Sequence, residues 1–127
     1  MIFIYSTFPN KEEAEKIAEE LIRQKLAACV NILPIDSVYS ENEKIKKSKE
    51  TAAIIKTRKI NFKRVEKFIL ENHSYAIPCI VGIPIRKASK KYFHWLKNNV
   101  KYEKKKTFKK HPQISPPGKS PDSAAGS

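Results

Sequence analysis

Residues 28–58 constrain the fold more than any other part of the chain. Val30, Ile32, Ile35, Val38 and Tyr39 precede a polar centre, Ser40-Glu41-Asn42-Glu43-Lys44, and Ile45 and Thr51-Ala52-Ala53-Ile54-Ile55 follow it. β-Branched residues in such runs favour strands, and an Asn-containing break favours a tight reversal. The pattern predicts a long β-hairpin whose arms exceed what a small domain needs for its own core. The other elements are short and have to pack on or beside it.

Ile2 to Phe8 reads as a first strand, apolar on both sides and therefore central. Pro9-Asn10 stops it. Asn10 is a good N-cap, and Glu13 stands three residues on, as a capping box requires. Ala14, Ile17, Ala18, Leu21 and Ile22 recur at helical spacing, predicting a helix over 11–26. Its acids, Glu12 and Glu13, lie at the start and its bases, Arg23 and Lys25, at the end, which suits the helix dipole. Asn61 is expected to cap a second helix, with Phe62, Val65, Phe68 and Ile69 inward, ending near Asn72-His73. Ile77 to Ile85 is a fourth strand. Ser89 opens a short third helix with Tyr92, Phe93, Trp95 and Leu96 on its apolar side.

Proline settles the order. It cannot donate a ladder hydrogen bond, so Pro34 places the first hairpin arm at an edge, and Pro78 and Pro84 do the same for the fourth strand. The proline-free run Thr51 to Thr57 is central. The class is α+β: a ferredoxin-like βαββαβ antiparallel sheet with a long β2–β3 hairpin and a C-terminal helix. Both edges need protection. Pairing with the edges of neighbouring copies closes a ring, so a homotrimer is expected once a resemblance described below is added.

Residues 1–100 form one domain. Residues 101–127 hold four of the eight prolines and contribute +5 of the formal charge of +13, which reads as a basic, Pro/Ser-rich disordered tail. The lysines are expected to be a solvated face. Arginines are few and no aromatic–basic interleaving is present, so nucleic acid is an unlikely partner; binding through the tail stands as an alternative, with steep salt dependence. No run is long and apolar enough to cross a membrane, and the N-terminus resembles a strand rather than a signal peptide, so the expected location is cytoplasmic. Cys29 and Cys79 form no CxxC pair, which argues against a zinc module or a disulfide framework. There is no Ser-His-Asp arrangement, no paired-carboxylate signature and no Gly-rich phosphate loop, so the chain is not expected to be an enzyme.

A resemblance sharpens this reading. Ala28-Cys29-Val30-Asn31-Ile32, then Pro34-Ile35, Ser37, Tyr39, Glu50 and Ile55-Lys56-Thr57, then His73-x-Tyr75-x-x-Pro78 and Tyr92-x-x-Trp95-Leu96 follow in the order seen in the CutA divalent-cation tolerance family. The ordered set covers about residues 1–100. It implies a ferredoxin-like fold, a tight trimer and a role in tolerance to copper and other divalent metals. The architecture also resembles the nitrogen-regulatory signalling trimers.

The chain departs from the family pattern at two places. Glu41 and Glu43 stand where an aromatic residue and Gly are usual, leaving Asn42 as the candidate left-handed residue of the tip. Ser74, Ala76 and Cys79 replace Pro and two Glu after the second helix. Two possible carboxylate ligands are gone, and a soft thiol that suits copper(I) or zinc is gained.

The candidate metal ligands are His73, Cys29 and Cys79; the candidate cleft residues are Tyr75 and Lys56. Each has an ordinary alternative. Either cysteine serves equally as a small buried apolar group. His73 fits a helix C-terminus as well as an imidazole ligand in a cleft. Lys56 suits an anionic ligand or a carboxylate such as Glu50. Within one chain the cysteines fall on opposite sheet edges, about 14 Å apart over three strand spacings, beyond disulfide reach; across a contact between copies they would approach. The alternative function is a small-anion-binding signalling trimer that uses Lys56.

Overall fold

The computed structural model describes residues 1–101. The expected tail lies outside the described residues, apart from Lys101. The elements are β1 (Ile2–Phe8), α1 (Lys11–Arg23), β2 (Cys29–Glu41), β3 (Lys44–Thr57), a 3₁₀ turn (Lys59–Asn61), α2 (Phe62–Asn72), β4 (Ile80–Pro84) and α3 (Lys90–Asn98). They form one antiparallel sheet in the order β2-β3-β1-β4. The edges are the strands that carry Pro34 and Pro84, and the centre is β1 with the proline-free half of β3.

α1 and α2 cover one face. Ile4, Phe8, Ala53 and Ile55 from the sheet meet Ile17, Leu21, Val65 and Ile69 from the helices in a single core cluster. Gly82 permits this closeness on β4: a Cβ there would sit 2.9 Å from Ile2 Cδ1 and 3.1 Å from the Phe62 ring. Across the sheet, partners in register share a face. The other face therefore carries the rows Cys29–Lys56–Phe3–Ile83 and Asn31–Ile54–Tyr5–Val81. α3 reaches this face only at one end, where Tyr92 lies beside Lys56. Val81 and Ile83 are 50% and 45% exposed there.

The hairpin overhangs the sheet. β1 pairs with residues 51–57 of β3 only, whereas β2 and β3 stay paired from Cys29↔Lys56 out to Glu41↔Lys44. Both tip residues, Asn42 (φ 54°) and Glu43 (φ 64°), are left-handed. A two-residue hairpin loop of this kind requires positive φ at both central positions, so the expectation of Asn42 alone is extended by one residue.

Four local expectations are corrected. α1 ends at Arg23 rather than 26, because Lys25 turns left-handed (φ 60°) and the Leu26 N–H returns to the Leu21 carbonyl at 2.9 Å. That is a Schellman stop made without glycine. The capping box is half made. Asn10 Oδ1 accepts from the Glu13 N–H at 2.9 Å, but the Glu13 carboxylate accepts from the Ser74 N–H instead of turning back. Asn61 does not cap α2. Its side chain is buried and donates to Thr57 Oγ1 (3.2 Å) and the Lys101 carbonyl (3.3 Å), while Thr57 Oγ1 donates to the Leu26 carbonyl (2.6 Å). β4 begins at Ile80 rather than Ile77, because residues 73–79 form a loop built around His73.

Candidate functional site

The loop after α2 is where the chain concentrates its reactive groups. α2 stops when His73 leaves helical geometry (φ −85°, ψ 143°). The His73 side chain is wholly buried. Its ring stacks on Phe8 with centroids 4.6 Å apart and 14° between planes. Nε2 lies 2.7 Å from the Thr7 carbonyl oxygen, and Nδ1 lies 3.0 Å from the Tyr75 backbone nitrogen. A carbonyl only accepts and an N–H only donates, so Nε2 carries the proton and Nδ1 presents its lone pair to Tyr75. Glu13 Oε2 stands 3.5 Å from Nδ1 and accepts from the Ser74 N–H at 2.9 Å.

From that anchor the loop delivers Tyr75 to the hairpin. The Tyr75 hydroxyl donates to Glu50 Oε2 at 2.5 Å. Glu50 lies just past the last β1–β3 pair, where the hairpin leaves the sheet. Its alternation parity is that of Ile54 and Lys56, on the face without helices. Burial, then the hydrogen bond to Glu50 and the nearby negative charge, push the Tyr75 phenol up to about 12. Burial, then the Glu50 charge, push the Cys79 thiol up as well. A raised thiol is a poor nucleophile at neutral pH, and it binds metal only as it gives up its proton.

The structure therefore brings together three of the five expected site residues, His73, Tyr75 and Cys79, on one loop. Cys29 is elsewhere. It opens β2 opposite Lys56, and both cysteines are half-buried free thiols. About 14 Å of strand spacing and about 13 Å along the strands separate the two. Lys56 belongs with Cys29: its ammonium sits 5.4 Å over the Phe3 ring and 5.7 Å over the Tyr92 ring. Tyr92 in turn stacks on the exposed Trp95 at 5.6 Å.

Metal ligation within one chain meets an obstacle. Among the described residues no group of three or more His, Cys, Asp or Glu is placed to hold a metal ion. His73 offers no free lone pair, and Glu50 is engaged by Tyr75. Among the described residues, a single chain does not assemble a metal site. Glu13 and Glu50 are the members of this network that the sequence reading did not select as site residues. The sequence pattern gives Glu13 a capping role alone, and it places Glu50 in the resemblance and as a possible partner of Lys56.

A sheet with helices on one face, an unclosed apolar second face and a loop of polar groups at its corner defines a small α+β protein that presents a sheet face. Residues 2–99 match the family model described as CutA1 divalent ion tolerance protein. A divalent-cation tolerance protein CutA from Archaeoglobus fulgidus is 46% identical over 98 residues, which cover 77% of this chain and 96% of that protein. The chloroplastic protein CutA of Arabidopsis thaliana is 41% identical over 101 residues; the match spans 79% of this chain but 56% of that longer protein. A solved structure of the A. fulgidus protein, described as periplasmic, superposes with a TM-score of 0.77 at 45% identity, covering 80% of this chain and all of the other. The chain belongs to the CutA1 divalent ion tolerance family.

Proposed function

We propose that this protein is a cytoplasmic, homotrimeric divalent-metal tolerance protein of ferredoxin-like fold that binds copper as its cargo through thiols near subunit interfaces. It binds rather than catalyses. The observation that carries this reading is the sheet face without helices. It exposes Leu33, Val81 and Ile83 beside Phe3, Tyr5 and Ile54, and a sheet of this kind needs a second layer. Cys29 stands on that face at the β2 edge, and Cys79 immediately precedes β4, the opposite edge strand. A copy seated there supplies the layer and brings one subunit's Cys29 toward another's Cys79, completing a ligand set that the described residues of one chain do not assemble. Thiolates suit copper(I). No helix among the described residues is long and apolar enough to cross a membrane.

The test is light scattering of the full chain together with an anaerobic copper titration. The chain carries His111→Ala throughout, so that the tail histidine does not contribute. The expected results are the mass of three copies and stoichiometric copper binding, weakened at least about tenfold by Cys79→Ser or Cys29→Ser. Copper binding unchanged in both variants removes metal as the cargo and leaves the assembly standing.

One observation favours a second reading. The Lys56 ammonium sits over two rings on the face without helices, a placement that suits a small anion in a cleft between copies. That reading predicts saturable binding of an organic anion, lost in Lys56→Ala.

A further inference from the structure

We propose that His73 is a positioning residue and not a metal ligand: its neutral imidazole fixes the 74–79 loop to the end of β1 and so sets Tyr75 on Glu50 and Cys79 at the edge of the sheet. The assignment follows from how completely the ring is used. Nε2–H donates to the Thr7 carbonyl at 2.7 Å, Nδ1 accepts from the Tyr75 N–H at 3.0 Å, and one ring face lies on Phe8. A metal at Nδ1 displaces the Tyr75 N–H; a metal at Nε2 leaves the Thr7 carbonyl without its donor. Each displacement leaves a partly buried backbone group unpaired. The side chain has no exposed surface through which an ion arrives.

The surroundings agree. Glu13 from α1 holds the neighbouring Ser74 N–H, so the loop is fastened by two elements, β1 through His73 and α1 through Glu13. Both fastenings act on the two residues immediately before Tyr75, whose ring also lies against His73 at 4.8 Å. The groups that remain available to a ligand are those this clamp presents, Cys79 foremost. A residue that orients a ligand in this way typically changes metal affinity about 10–100-fold without touching the ion.

The role of Cys79 rests on the metal reading above, whereas the role of His73 in holding the loop does not, and the experiment separates them. Full-length protein is prepared as wild type, His73→Ala and His73→Gln, each with 13C-labelled tyrosine. Gln is the conservative rescue, because its amide donates to one carbonyl and accepts from one N–H. His73→Ala is expected to return the Tyr75 titration from about 12 toward the ordinary tyrosine value and to weaken copper binding about tenfold or more. His73→Gln is expected to hold the Tyr75 titration and to keep copper affinity within about threefold of wild type, well short of the loss expected when a positioning residue is removed. The 15N shifts of the wild-type ring are expected to report a bare Nδ1 and a protonated Nε2, unchanged on adding copper.

Three results overturn the assignment: a ring whose 15N shifts move with bound copper; His73→Gln that keeps the Tyr75 titration yet loses copper about tenfold or more; or Tyr75 equally released, or equally held, in both variants. If wild-type protein binds no copper, the metal reading fails, and the Tyr75 titrations still decide the role of His73.

Discussion

The two faces of the sheet are made by the same strands and end in opposite conditions. On the helix side Ile4, Phe8 and Ile55 are essentially inaccessible; on the other, Leu33, Val81 and Ile83 keep 39%, 50% and 45% of their surface. Alternation deals residues to both faces evenly, so the strands themselves do not cause the asymmetry. The cause is the chain's supply of second-layer elements. α1 and α2 both follow crossovers onto one face, and α3 is short and reaches only one end of the other. The hairpin beyond Glu50 shows the same deficit, since among the described residues it pairs with nothing but itself. An isolated two-stranded ribbon is marginal in water. Among the described residues, one face is therefore covered by this chain's own helices and the other has no full second layer, which the proposed assembly would supply.

The sharpest way to break that contrast is a charge in the middle of each condition. Ile54 lies between Asn31 and Tyr5 on the face without helices. Ile54→Asp is expected to reduce the mass in light scattering from three copies to one and to lower the thermal midpoint by more than any truncation in the helix-side core. Leu21→Ala, in the helix-side core, is expected to cost about 2–5 kcal/mol while leaving the mass unchanged. The wild-type midpoint should rise with protein concentration, as linked assembly requires. An Ile54→Asp protein that stays assembled removes the proposed role of this face.

How much of this was legible depends on how far apart the partners lie. Strand order was legible because Pro34 and Pro84 carry their constraint within themselves: a missing N–H bars them from the sheet centre whatever else the chain does. The helices were legible from periodicity. What could not be read was the use of a polar side chain by a distant backbone group. Asn61 looked like a cap, but its partners are Thr57 and Lys101, the latter 40 residues away. His73 looked like a ligand, but its Nε2 partner is the Thr7 carbonyl, 66 residues away. Glu13 had a local role that fitted, and the local role concealed the distant one. Lys25 gave no signal for a helix stop, because the residue usual at that position is glycine.

The corner where the two conditions meet can be sharpened by pH. Tyr75 joins the loop to the overhanging hairpin through Glu50. Its folded-state value of about 12 lies above the ordinary tyrosine value of roughly 10. The folded state thus holds this proton more tightly than the unfolded state. The stabilisation is complete below about pH 10 and is lost as pH rises through about 10 to 12. Tyr75→Phe should lose about 1 kcal/mol near neutral pH. Its denaturation midpoint should also fall less steeply than that of wild type across the alkaline window. Parallel alkaline slopes in the two proteins show that Tyr75 does not fasten the corner.

The smallest effect probes the far end of the overhang. Glu43 occupies a left-handed conformation at φ 64° next to Asn42 at φ 54°. Asn tolerates that region because its short side chain bonds locally; Glu has no such compensation, and a Cβ crowds the following carbonyl. Glycine relieves the strain at some entropic cost in the unfolded chain. Glu43→Gly is therefore expected to stabilise the protein by up to about 1 kcal/mol in chemical denaturation. Asn42→Ala should act in the opposite sense by a similar amount. The tip is exposed in the single chain and far from the helix-side core, so neither substitution alters the packing of that core. If the gain at Glu43 appears in hydrogen exchange of the tip but not in the global midpoint, the overhang opens independently of the sheet. A matching gain in both measurements shows that the overhang and the sheet unfold together, which an isolated ribbon would not do and a ribbon held by neighbouring copies would.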